Sequence, residues 1–219
     1  MTAFPFDVGP VPHSKGKRVM DVGLAVLSLI AAAPLMAAVA IAVKLQDGGP
    51  VLFRQQRLTE NGRVFTILKF RSMRVDAEAD GVARLACEGD TRITPVGQFL
   101  RRTHIDELPQ LINILRGDMS LVGPRPERPE LAAQYEKALP EYALRLQVKA
   151  GLTGYAQVYG TYDTPPEEKL RMDLWYITHQ SAVLDWKLIA MTAAEELRML
   201  LSVCTKTECE FRINAGKQV

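Results

Sequence analysis

The fold turns on Val22–Val43, V-G-L-A-V-L-S-L-I-A-A-A-P-L-M-A-A-V-A-I-A-V, a run without a charged side chain. As one continuous helix it would be about 33 Å long, enough for a hydrocarbon core of about 30 Å. Pro34 near its midpoint removes a helical hydrogen bond and crowds the carbonyl of Ile30. Lys15, Lys17 and Arg18 precede the run, and Lys44, Arg54 and Arg57 follow it. The positive-inside rule therefore places both ends in the cytoplasm. A helix broken at Pro34 that enters one leaflet and returns satisfies both flanks, since each half is roughly 18 Å long. Two rivals are a buried core helix of a soluble protein and a signal peptide with its small-residue site at Ala31–Ala33. Cleavage there would leave Pro34 as the first residue, an awkward position.

Around this segment the composition is ordinary. With 219 residues the chain can bury a core of one domain plus appendages. A net charge of +2 and 7% aromatics exclude a global basic footprint, so no nucleic-acid partner is expected. Cys87, Cys204 and Cys209 form no disulfide framework, and His13, His104 and His179 lack the spacing of a zinc site. Residues 1–16, rich in Pro and Gly, read as a flexible leader. The membrane segment then occupies 17–46, the body 47–204 and a polar C-terminal tail 205–219.

In the body, Val51–Leu58 and Arg63–Phe70 bring apolar and β-branched residues to either side of Asn61-Gly62, the strongest short hairpin signal. The hairpin's exit carries Lys69 and Arg71. Asp76–Asp90 reads as a polar connector with some helix. A helix from about Pro95 to Thr103 presents Arg101 and Arg102, and a second spans Asp106–Leu115 with a C-cap at Arg116-Gly117. Arg125 stands between two prolines in Ser120–Glu127. It reads either as a solvated turn arginine or as a stiffly held bidentate phosphate ligand. Glu130–Leu146 is expected to be helical, and Lys149–Tyr155 a glycine-punctuated turn. Two helices then follow Pro165-Pro166. The second carries an apolar face at Val183, Leu184, Leu188 and Met191, fit for a core or for a membrane surface.

Asp106 and Glu107, paired at a helix start, carry two readings. In the first, T-x-x-D at Thr103–Asp106 is a capping box, and Pro109 is tolerated because a first-turn N–H has no intrahelical partner. In the second, a carboxylate beside a helix N-terminus and clustered cations performs phosphoryl chemistry.

The ordered motifs K-R-x-x-D, P-V-L-F-R-Q-Q-R, N-G-R-x-F, K-F-R-S-M, D-E-L-P-Q-L-x-N, G-D-M-S-L-V-G-P-R-P, G-L-T-G-Y-A-Q-V and E-K-L-x-x-D-x-W-Y-I run from about Lys17 to about Leu201. Together they closely resemble the bacterial sugar transferase family, the monotopic polyprenol-phosphate phosphoglycosyl transferases. The resemblance implies an enzyme of the bacterial inner membrane whose catalytic domain faces the cytoplasm. It would transfer a sugar 1-phosphate from a UDP-sugar to undecaprenyl phosphate with Mg²⁺, release UMP, and supply downstream glycosyltransferases of exopolysaccharide, capsule or O-antigen assembly. By the family's pattern Asp106 is the nucleophile that forms an aspartyl-phosphosugar intermediate, Glu107 is its partner, and both are expected at the metal. Arg125 maps to the arginine of the P-R-P motif, and Lys69, Arg71, Arg101 and Arg102 are expected to bind phosphate or nucleotide. The family bends its re-entrant helix at Ser-Pro, whereas this chain has Ala33-Pro34. Glucose or galactose is the family-level expectation for the sugar, helped slightly by Tyr159–Thr164.

The expected fold is α/β and helix-dominated. It has a re-entrant membrane helix broken at Pro34, a small hairpin, a cytoplasmic catalytic domain and interfacial amphipathic helices. Two other functional classes are a membrane-bound glycosidase using the acidic pair, and a scaffold without chemistry. Adjacent carboxylates do not flank a glycosidic bond at the required 5 Å or more, which disfavours the glycosidase.

Overall fold

Helix α1 (Lys15–Asp47) contains the whole apolar segment and stays helical through Pro34. This corrects the expectation of a helix broken at Pro34. Proline's own φ near −65° is helical, and the missing N–H costs one hydrogen bond without ending the helix. Asp21, Ala25, Val39 and Val43 are buried on one side, while Leu27, Ile30, Ile41 and Leu45 are exposed. The helix is long and apolar enough to cross a membrane by length and composition.

The computed structural model describes residues 15–77, 90–161 and 163–215, with side chains through Ser202. The leader up to Ser14, most of the Asp76–Asp90 connector, His13, Cys87 and Tyr162 lie outside these residues, as do the side chains of Cys204 and Cys209.

The hairpin forms as expected. Strand β1 (Leu52–Leu58) pairs antiparallel with β2 (Val64–Phe70), with Leu58 opposite Val64. Asn61 and Gly62 turn the chain with φ of 57° and 70°. Asn tolerates this left-handed region through its short polar side chain, and glycine through its lack of a Cβ. Helix α2 (Pro95–Arg102) is capped by Thr94, whose side chain accepts from the Gly97 N–H. A 3₁₀ turn at Ile105–Glu107 precedes α3 (Gln110–Arg116), so the expected helix of Asp106–Leu115 begins as a tighter turn. Gly117, at φ 87°, ends α3 as expected.

The expected Glu130–Leu146 helix divides into α4 (Pro129–Ala138) and a 3₁₀ stretch at Pro140–Gln147. Pro140 cannot donate to the preceding turn and disfavours helical geometry at Leu139. The glycine-punctuated turn contains a strand. Strand β3 (Ser120–Val122) pairs parallel with β4 (Gly151–Thr153). A Cβ on Gly151 would lie 2.1 Å from the Gly123 nitrogen, so glycine is required by close backbone approach. Helices α5 (Tyr155–Tyr159), α6 (Pro166–Thr178) and α7 (Ala182–Ala215) complete the chain, α7 entering the segment read as a polar tail.

Leu111, Ile114, Met119, Leu170, Leu174 and Leu188 anchor the main core, and Ala25 of α1 joins it. A second cluster holds Val39 and Val43 against Phe70, Leu100 and Ile105. Both ends of α1 are therefore packed on the same body.

Candidate active site

The acidic pair stands on the 3₁₀ turn between α2 and α3. His104 sets the turn's entry in a left-handed conformation (φ 48°), and its ring Nδ1 lies 2.8 Å from Glu196 Oε1 of α7. Histidine is one of the non-glycine residues enriched in that region. Asn113 then fastens α3 to the edge of β2. Its Nδ2 donates to the Thr66 carbonyl at 2.8 Å, and its Oδ1 accepts from the Leu68 N–H at 3.0 Å. The amide thus occupies the place of a neighbouring strand, and Lys69, the next residue on β2, is carried up to the pair.

Lys69 Nζ donates to Glu107 Oε1 at 2.6 Å. Arg125 Nη2 donates to the same oxygen at 2.7 Å, and Nη1 reaches Oε2 at 3.4 Å. Burial opposes charge on Glu107, but Arg125 and Lys69 outweigh it and hold the carboxyl well below the usual glutamate range. Asp106 differs from its neighbour. It is 7% exposed, and its Oδ1 is buried with no hydrogen-bond partner among the described residues. Burial raises its pKa above the usual aspartate value, Glu107 adds to the rise, and Lys69 and Arg101 pull it back. Lys69 itself is lowered by burial and by Arg125, against the attraction of Glu107.

The five expected cations divide. Lys69 and Arg125 meet at Glu107, and Arg101 acts on Asp106 through its charge. Arg102 is exposed on α2. Arg71 is not brought to the pair: its Nη2 bonds Asp47 and the Val43 carbonyl, which ties β2 to the C-terminal end of α1.

Sequence reading missed two arginines that hold the backbone of the P-R-P loop. Arg57 Nη1 donates to the Pro126 carbonyl and Arg145 Nη2 to the Arg125 carbonyl, both at 3.0 Å. Arg145 is buried and paired with Asp173 at 2.7 Å, and its Nη1 donates to the Tyr142 hydroxyl. Nothing in the local pattern of Pro140–Gln147 marks an inward-facing arginine. Gly151 N–H also donates to the Pro124 carbonyl at 2.9 Å. With its main chain gripped at three successive carbonyls, the loop leaves the half-exposed Arg125 guanidinium as its adjustable part.

Among the described residues no group of three or more His, Cys, Asp or Glu side chains could hold a metal alone. The donor set accommodates Mg²⁺ in a narrower way. Both Glu107 oxygens are engaged by cations, while Asp106 offers one without a partner among the described residues. One carboxylate with water and substrate phosphates is a common Mg²⁺ environment.

A family profile described as bacterial sugar transferase matches residues 12–199. Over 186 residues the chain is 45% identical to a UDP-glucose:undecaprenyl-phosphate glucose-1-phosphate transferase of Xanthomonas campestris pv. campestris, covering 83% of this chain and 38% of that protein. It is 42% identical over 179 residues to a UDP-N-acetylgalactosamine-undecaprenyl-phosphate N-acetylgalactosaminephosphotransferase of Aeromonas hydrophila, covering 80% of this chain and 42% of that protein. An exopolysaccharide production protein of Rhizobium leguminosarum bv. phaseoli is 41% identical over 190 residues, which cover 83% of this chain and 94% of its own. The chain thus spans about two fifths of the first two relatives and nearly all of the third.

Proposed function

The chain belongs to the bacterial sugar transferase family, and from that membership we propose that it moves a sugar 1-phosphate from a UDP-sugar to undecaprenyl phosphate, releasing UMP. The observation that carries the chemistry is the division within the acidic pair: Glu107 is neutralised by two cations, and Asp106 keeps a buried, unpartnered oxygen. In the proposed reaction an Asp106 oxygen bonds the β-phosphorus. The bond from that phosphorus to the bridging oxygen breaks, and its electron pair leaves with UMP. The lipid phosphate then attacks the same phosphorus and returns the carboxylate. Covalent catalysis of this kind splits one exchange of anions into two displacements. Glu107 acts by holding Lys69 and Arg125 together where the diphosphate's charge arrives.

Mg²⁺, when bound with the diphosphate, supplies further charge neutralisation, and Asp106 is the residue that would hold it. Glu107, expected at the metal, is assigned instead to the two cations. The relatives' names carry glucose and N-acetylgalactosamine, so the donor sugar is left to assay. A role in initiating exopolysaccharide-type glycans accords with the name of the Rhizobium relative.

We place the enzyme at the inner membrane with its body in the cytoplasm. The support is the basic flanks of α1 and the seating of both its ends on one body. The test is a panel of UDP-sugars with undecaprenyl phosphate and detergent-solubilised enzyme, followed by UMP release with Mg²⁺ or a chelator. Lipid-dependent UMP release and parallel initial-rate lines are expected. Labelled UDP-sugar without lipid should mark the peptide containing Asp106. Intersecting lines and an unmarked peptide would replace the covalent route with direct transfer.

A further inference from the structure

One helical turn beyond Asp106, the first residue of α3 carries a second unmet polar group. Gln110 is 2% exposed, and its Nε2 is buried without a hydrogen-bond partner among the described residues. The backbone between the two is helical. Leu108 and Pro109 have φ, ψ of −52°, −36° and −61°, −17°, joining the 3₁₀ turn to α3. Residues four apart on such a path share a face. A buried acceptor, Asp106 Oδ1, and a buried donor, Gln110 Nε2, therefore lie one turn apart without bonding each other. The other such atoms among the described residues are dispersed, on Arg57 of β1, Arg71 beyond β2 and Gln157 of α5.

An unmet buried donor is destabilising, and buried polar groups are normally paired. An apolar side chain of the same length would carry no such penalty, so an amide at this position gains from a partner that arrives with substrate. A single phosphoryl group meets both atoms, presenting electropositive phosphorus to a carboxylate and non-bridging oxygens to an N–H. Pro109 has no N–H, so the main chain offers one donor fewer at this point.

We propose that Gln110 is a further catalytic residue: its Nε2 donates a hydrogen bond to a non-bridging oxygen of the phosphoryl group that Asp106 attacks. The inference rests on the transferase reading above. No proton is transferred from the amide. The bond that forms is Asp106 oxygen to phosphorus, the bond that breaks is phosphorus to the UMP oxygen, and the N–H stabilises charge on the oxygen between them.

The test is Gln110→Met in the full-length protein, assayed for UMP release and for thermal midpoint in detergent. Removing a donor to transition-state charge should lower kcat by about 10²–10³-fold with KM little changed. The thermal midpoint should hold or rise, because the buried unmet donor is gone. A purely structural amide would instead lose stability and activity together, and that result would overturn the proposal. So would a kcat within about threefold of wild type. Gln110→Glu, of nearly the same shape, covers the case in which the Met variant does not fold. It should lose at least as much kcat, since a carboxylate repels phosphate, and wild-type-like turnover by it would equally refute the role. Wild type measured alongside separates the two levels: absence of lipid-dependent UMP release overturns the transferase reading and this inference with it, whereas an active wild type with an indifferent Gln110 variant overturns this inference alone.

Discussion

Lys69 at 2.6 Å and Arg125 at 2.7 Å share one oxygen of Glu107, and that occupancy separates two adjacent carboxylates that look alike in sequence. Asp106→Asn should abolish UMP release while the protein stays folded, because an amide cannot form the acyl-phosphate. Retention of more than about a tenth of the rate would be too small a loss for a missing nucleophile. The acid limb of kcat/KM reports the free enzyme. Burial raises the Asp106 pKa, so that limb should lie above the usual aspartate value of about 3.9. Lys69 opposes the rise, so Lys69→Gln should move the limb to higher pH. A limb that stays in place, or moves to lower pH, would remove Asp106 ionisation as its origin. The legible part of this site was the acidic pair and the proline-held Arg125. The local pattern of Leu111–Leu115 gave no sign that Asn113 aligns α3 with β2, because its partners are backbone groups 45 or more residues away.

At the scale of elements, α1 is secured by side chains near its N-terminal end. Lys17 pairs with Asp185 of α7 at 2.6 Å, and Arg18 donates to the Ile114 and Leu115 carbonyls at the end of α3. Cations at the last carbonyls of a helix also suit its dipole. Asp21, buried in the protein, accepts from the Ser120 hydroxyl at 2.8 Å and the Leu121 N–H at 3.0 Å. In sequence Lys17 and Arg18 read as a membrane flank and as the start of the K-R-x-x-D motif; the folded chain also gives them docking partners. Asp21→Asn replaces a charged acceptor of two hydrogen bonds. It should remove about 1.5–3 kcal/mol, or roughly 3–12 °C of thermal midpoint in detergent for a domain of this size. An unchanged midpoint would show that the Asp21 carboxylate adds nothing to the seating that Lys17, Arg18 and the packing of Ala25, Val39 and Val43 already provide.

For the whole molecule, the consequence is topological. A helix with both ends fixed to one folded body leaves them on the same side of a bilayer unless the body itself is divided. Cysteines placed near Gly16 and near Asp47 should therefore label alike from the cytoplasmic side. Opposite labelling would establish a span and refute the same-side arrangement. Pro34→Leu restores the hydrogen bond to Ile30 and should shift the population toward opposite labelling. The exposed Leu27, Ile30, Ile41 and Leu45 form the apolar surface that would meet lipid in either variant.

Local physics determined the apolar helix, the Asn61-Gly62 hairpin, the glycine end of α3 and the paired acids at a helix start. Each depends on periodicity, turn chemistry or a backbone preference carried by a few neighbouring residues. Tertiary structure alone decided that Pro34 stays within a continuous helix, that Gly151–Thr153 is a strand, and that Arg71 serves α1 while Lys69 serves Glu107. It also decided that Arg57 and Arg145 grip the P-R-P loop. These outcomes depend on burial and on partners distant in sequence: a charge's role is set by what meets it across the fold, and its own neighbours do not encode that meeting.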